Sequence, residues 1–160
     1  MEWSNEVRDF IVAANRREVR MLMVGGSAVN WYGYKRHSAD VDFWLDRSPE
    51  NLERLLLALN DFGYDLAELP GAVHSGLQNV SLKFSPVDLD VELITRFEVS
   101  RPFEEAYGDS VVVQGEGPPL HRWRVLAYDD LIVSKTKAAR PKDLLDVHEL
   151  ERIRGERGEG

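Results

Sequence analysis

At 160 residues and 18.3 kDa the chain is sized for one compact domain, and 43% hydrophobic with 30% charged residues is a globular composition. No apolar run approaches the ~18 residues that a membrane span needs, and the absence of cysteine excludes disulfides, thiolate catalysis, zinc ribbons and iron–sulfur clusters. Twenty bases against 28 acids leave a net charge of −8, which opposes non-specific adsorption to nucleic acid or to an anionic membrane.

The first residues, Met-Glu-Trp-Ser-Asn-Glu, lack the basic and then apolar pattern of a secretory signal, so a cytoplasmic location is expected. Val7, Phe10, Ile11 and Ala14 recur at helical spacing after Ser4, which predicts an amphipathic helix of about three turns. A short apolar strand over Val19 to Val24 stops at Gly25-Gly26, and Ser27 is placed to start a second helix. In Asp40-Val-Asp-Phe-Trp-Leu45 the alternation of a strand sets Asp40 and Asp42 on one face and Val41, Phe43 and Leu45 on the other. Ser48 as cap, Pro49 in the first turn, the stripe Leu52, Leu55, Leu56, Leu59 and the stop at Gly63 predict the clearest helix of the chain. A hairpin follows, Val80 to Phe84 and Val87 to Ile94 around Ser85-Pro86, with Asp88, Asp90 and Glu92 stacked on one face of its second strand. Beyond an irregular stretch come a short strand at Val111 to Val113 and an edge strand at Arg122 to Leu126. Two closing helices are expected, from about Asp129 to Ala139 and, after Pro141, along Leu144, Leu145, Val147 and Leu150. The expected fold class is α/β (α+β), a mixed central sheet flanked by helices. One domain over residues 1–153 is expected, with a core of about 19–126, a helical part of about 129–153 and a polar tail over 154–160.

Two features carry chemistry. Asp40 and Asp42, two apart on one strand, have α-carbons roughly 6–7 Å apart with both carboxylates on one face, and form a hard-oxygen donor pair suited to Mg²⁺. Gly25-Gly26-Ser27, between a buried strand and a helix, offers backbone N–H groups to a phosphate with no side chain in the way. Each alone is a common structural feature, since a lone Asp-x-Asp is usually an exposed edge and most Gly-Gly pairs are only turns. In the order strand, glycine turn, helix, acidic strand, later acidic strand, they describe a phosphate cradle facing a metal site, the equipment for nucleotidyl transfer.

With Val24-Gly-Gly-Ser-Ala-Val29, a spacer over 28–39, and Ala39-Asp-Val-Asp-Phe43, the chain resembles the polymerase-beta-like nucleotidyltransferase superfamily. Asp130-Leu-Ile-Val-Ser-Lys135 followed by Arg140-Pro-Lys-Asp-Leu-Leu-Asp146 is similar to the C-terminal region of small bacterial members related to abortive-infection and toxin–antitoxin enzymes. The resemblance spans about residues 19–150. It implies catalytic and metal-holding roles for Asp40, Asp42 and a third carboxylate, Mg²⁺ or Mn²⁺ as cofactor and a nucleoside triphosphate as substrate. Gly25, Gly26 and Ser27 would hold the triphosphate and Lys135 would reach its phosphates. The acceptor hydroxyl would belong to an RNA end, a protein or a small molecule. Where the family pattern has one later acid, this chain has Asp88, Asp90 and Glu92. Asp90, the central one, is taken as the third ligand, while counting from either end of the strand favours Glu92 or Asp88.

Arg36, in the exposed loop Lys35-Arg36-His37-Ser38, has the fork geometry for a bidentate phosphate contact, and Ser38 would brace that loop. A solvated helix position is the alternative for Lys135. Asp143 and Asp146 are expected to pair with neighbouring bases such as Arg140. Lys35, Arg36, Arg122, Arg124, Arg140 and Lys142 would form a basic patch able to meet an RNA end. The competing readings are a non-catalytic nucleotide- or partner-binding module and a plain structural domain with an acidic surface.

Overall fold

A computed structural model describes residues 4–36, 40–84 and 90–158. His37, Ser38, the Ser85-Pro86 turn and Asp88 therefore lie outside the described residues.

Ser4 opens helix α1 (Asn5–Arg16) by accepting the Val7 N–H at 3.4 Å, and Val7, Phe10, Ile11 and Ala14 form its buried face, as the spacing predicts. Strand β1 (Met21–Val24) is buried throughout and starts two residues later than the apolar run suggests. It passes directly into α2 (Gly25–Trp31). After β2 (Asp40–Leu45), Ser48 caps α3 (Pro49–Phe62) by accepting the Asn51 N–H, and Gly63, at φ 126°, ends it. Two short helices, α4 (Gly71–His74) and α5 (Phe103–Gly108), the latter in the stretch expected to be irregular, are too brief to carry a helical period. Strands β3 (Val80–Leu82), β4 (Asp90–Ile94), β5 (Val111–Gly115) and β6 (His121–Val125) complete the sheet. Helices α6 (Tyr128–Ala138) and α7 (Pro141–Glu156) close the fold, and α7 continues past the predicted end near 153.

The six strands form one mixed sheet in the order β3-β4-β2-β1-β6-β5. The pairs β1–β2, β3–β4 and β5–β6 are antiparallel, whereas β2–β4 and β1–β6 are parallel. The strand at Arg122 to Leu126, predicted to be an edge, is therefore interior, with β5 outside it. Its pattern of buried His121, Trp123 and Val125 against less buried Arg122 and Arg124 is that of a strand packed on one face only.

Alternation and register sort the side chains onto two faces. Met21 and Met23, Val41, Phe43 and Leu45, Val91 and Leu93, with Trp123 and Val125, share one face, which α1 and α3 cover. Phe10 of α1 meets Phe62 of α3 edge to face, with ring centroids 6.0 Å apart. The opposite face carries Leu22 and Trp44 at its centre, with Phe103 of α5 edge-on to Trp44 at 5.0 Å. One end of this second face bears the acids of β2 and β4, and the other bears Arg122 and Arg124 of β6. Arg101 anchors the first turn of α6 by binding buried Asp130 at 2.7 Å.

Helix α7 departs from the predicted leucine stripe. Leu144 and Leu145 are half exposed, and the buried positions are Asp143, Asp146 and Leu150. The helix turns an acidic face inward because basic side chains from other elements wait there.

Candidate active site

The register of the sheet gathers the acids. Parallel pairing sets Asp40 beside Asp90 and Asp42 beside Glu92, so four carboxylates share one end of one face. Asp42 also pairs with Val24, the last residue of β1, which brings the glycine turn to the same spot. The contact there is close. Gly25 sits at φ +65°, a conformation that favours glycine, and a Cβ built on it would lie 2.6 Å from an Asp42 carboxylate oxygen. Glycine is thus required at 25 on two counts, backbone conformation and room for Asp42.

This geometry corrects the role expected of Ser27 as a helix cap. The positive φ of Gly25 turns the chain straight from strand into helix, Val24 occupies the cap position, and Ser27 is buried in the first turn. Its hydroxyl donates to the Asp40 carbonyl at 3.4 Å, which ties α2 to the start of β2. Gly25→Ala should lower stability by about 1–3 kcal/mol, from backbone strain together with the displaced Asp42. A thermal melt checks this, and a change below ~0.5 kcal/mol would mean that the turn relaxes without cost.

The carboxylates are not equivalent. Burial, and then the neighbouring Asp40 and Glu92, push the Asp42 pKa up to about 6, against the opposing pull of Lys135 and Lys142. Asp90 moves the other way, held below the usual carboxylate range by a hydrogen bond from Lys83 at 3.1 Å. Glu92 accepts the Ser81 hydroxyl at 2.5 Å.

Among the described residues no three His, Asp or Glu side chains are gathered closely enough to share one ion. Mg²⁺ is commonly held by one or two carboxylates together with substrate phosphates and water. Asp40 and Asp42 fit that donor set, and the mutual repulsion that raises Asp42 is what a divalent cation would relieve.

Lys135 and Arg36 converge, but on an acid. Arg36 binds Asp146 through two bonds of 2.8 Å, and Lys135 lies 3.0 Å from Asp146 and 3.4 Å from Asp143. Arg140 closes the cluster on Asp143 at 2.6 Å, as expected from its position three residues before. Lys135 is thus neither solvated nor open, being only 7% exposed. Burial pushes the Asp143 pKa up, yet the bonds and charges of Arg140 and Lys135 outweigh it and hold the group below the usual range. Lys135 still acts on Asp42 by its charge, which places this network beside the carboxylates. Nothing local in the sequence points to the Arg36–Asp146 pair, whose partners stand 110 residues apart.

The expected basic patch divides. Lys35, Arg36, Arg140 and Lys142 lie at the acid end with α7, while Arg122 and Arg124 stand at the start of β6, beside Arg20 and the C-terminal end of α1. Compared with models of known protein families, with curated proteins and with solved structures, the chain shows no match.

Proposed function

We propose that this protein is a metal-dependent nucleotidyltransferase, moving a nucleoside monophosphate from a nucleoside triphosphate to a hydroxyl acceptor. The observation that carries the reading is the approach of the glycine turn to Asp42, since it brings a side-chain-free stretch of backbone against a carboxylate that its neighbours keep uncompensated. In the reaction the acceptor oxygen bonds to the α-phosphorus, the bond to the β-phosphate oxygen breaks, and pyrophosphate leaves with that electron pair. A divalent cation at Asp40 and Asp42 would neutralise the charge that builds on the phosphates. The N–H groups of Gly26 and Ser27 would orient the triphosphate.

A carboxylate of the same cluster would accept the acceptor's proton. Asp90 is engaged by Lys83, whereas Glu92 stands next to Asp42, so the third carboxylate role is given to Glu92. Arg36 and Lys135 would act on the phosphates from the cluster that Asp146 holds. The acceptor is an RNA end, a protein hydroxyl or a small molecule.

A second reading, a nucleotide- or partner-binding module without catalysis, draws on one observation. Lys135 is already engaged by two acids. Incubation with each α-labelled nucleoside triphosphate, Mg²⁺ or Mn²⁺, and total cellular RNA and protein decides between them. Label is expected in one acceptor fraction, and triphosphate affinity measured by calorimetry should rise at least tenfold with Mg²⁺. Affinity that rises with no label transferred supports the binding module. Affinity indifferent to Mg²⁺ removes the metal-dependent transferase.

A further inference from the structure

At the end of the sheet away from the carboxylates, a cavity of about 420 Å³ opens between the start of β1, the start of β6, α3 and α5. Four arginines line it, Arg20, Arg54, Arg122 and Arg124, with Tyr107 and Glu18. We propose that this cleft binds a small phosphomonoester, separately from the carboxylate cluster and independently of the nucleotidyltransferase reading.

The charges support an anion. Arg20 is engaged by two acids, Asp46 at 3.2 Å and Glu104 at 2.7 Å. Among the described residues Arg54, Arg122 and Arg124 have no carboxylate partner, and Glu18 is the acid in the lining. Four guanidiniums against the carboxylates of Glu18, Asp46 and Glu104 leave a net positive charge, the complement of an anionic phosphomonoester. Such an excess is out of character for a chain of net charge −8.

The donors are also held in place. The guanidinium carbons of Arg20 and Arg124 lie 4.5 and 4.4 Å from the centre of the Tyr107 ring. Arg124 further donates to Ser110 Oγ at 3.2 Å. Asn15 clamps the main chain of Arg122 on both sides, accepting its N–H at 2.7 Å and donating to its carbonyl at 2.8 Å. The Arg124 fork, fixed in this way, matches phosphate oxygens at little ordering cost, and the clamp on its main chain places Arg122 beside it.

The volume lies in the range of small-molecule sites. A longer nucleic acid is disfavoured, because residues 49–110 hold twelve acids against four bases and would repel an extended polyanion.

The test is titration of the full-length protein with AMP in EDTA, so that no divalent cation serves the carboxylate cluster, with adenosine and an eight-nucleotide single-stranded RNA as the other probes. AMP is expected to bind, adenosine not, and the paired substitution Arg54→Gln/Arg122→Gln to weaken AMP at least fivefold with an unchanged melting temperature. Asp40→Asn/Asp42→Asn should retain wild-type AMP affinity or exceed it, which separates this cleft from the proposed active site. A loss below fivefold in the arginine pair, a loss of AMP binding in the aspartate pair, or RNA binding without AMP binding would each overturn the proposal.

Discussion

Asp42→Asn is expected to abolish nucleotidyl transfer while leaving the metal-free protein as stable as the wild type or more so. Both effects come from the same crowding. Asp42 is partly buried and faces Asp40 and Glu92, and its pKa of about 6 measures how unwelcome its charge is in the folded state. A carboxyl raised from its ordinary value of 3.8 holds its proton in the folded chain after the unfolded chain has lost it. Stability therefore falls as pH rises from about 4 to about 6, and the full penalty persists above that window. A rise of that size corresponds to ~3 kcal/mol, which solvent screening at a partly exposed group reduces to about 1–2 kcal/mol. The gain in melting temperature of Asp42→Asn should be present at pH 7.5 and shrink toward pH 4. Melts at several pH values, alongside the label-transfer assay, check this. A melting temperature several degrees below wild type at pH 7.5 would make Asp42 a structural residue.

Asp146→Ala should produce the largest loss of stability, about 3–5 kcal/mol, or roughly 10 °C in melting temperature at this chain length. Asp146 is 1% exposed and accepts from both Arg36 and Lys135. Its removal leaves the buried Lys135 ammonium with Asp143 alone, at 3.4 Å. Adding Lys135→Met to Asp146→Ala should restore part of the loss, because the unpaired charge is then gone. Chemical denaturation of the single and double variants measures the coupling. A single-variant loss under ~1 kcal/mol would show that water reaches the pair.

What could be read from the sequence was what neighbouring residues decide. Ser4 and Ser48 cap helices whose apolar stripes follow at once, and the alternation of Asp40 to Leu45 fixes both the strand and its acidic face. Features that depend on distant partners were misplaced or invisible. Arg122 to Leu126 was expected at an edge because nothing local announces that β5 pairs outside it. Leucines on α7 suggested the buried face, yet basic groups from the loop after α2 and from α6 draw Asp143 and Asp146 inward. The pairing of acids across strands is likewise invisible in the sequence, since only the β2–β4 register sets Asp90 beside Asp40 and Glu92 beside Asp42. In the candidate site the motif residues were legible one by one. Their electrostatic coupling was not, because Gly25, Glu92 and Lys135 meet Asp42 only through the fold.

The bond between Arg36 and Asp146, 110 residues apart, also orders events in time. A ribosome adds roughly 5–20 residues per second, so the glycine turn and both early aspartates leave the tunnel seconds before the last helix does. Through that interval Arg36 lacks the acid that holds it, and for most of it β1 lacks its parallel neighbour β6. Contacts this far apart in sequence close late and slowly. The carboxylates of β2 and β4 are therefore made well before the network that Asp143 and Asp146 hold beside them, which forms only once α7 has emerged.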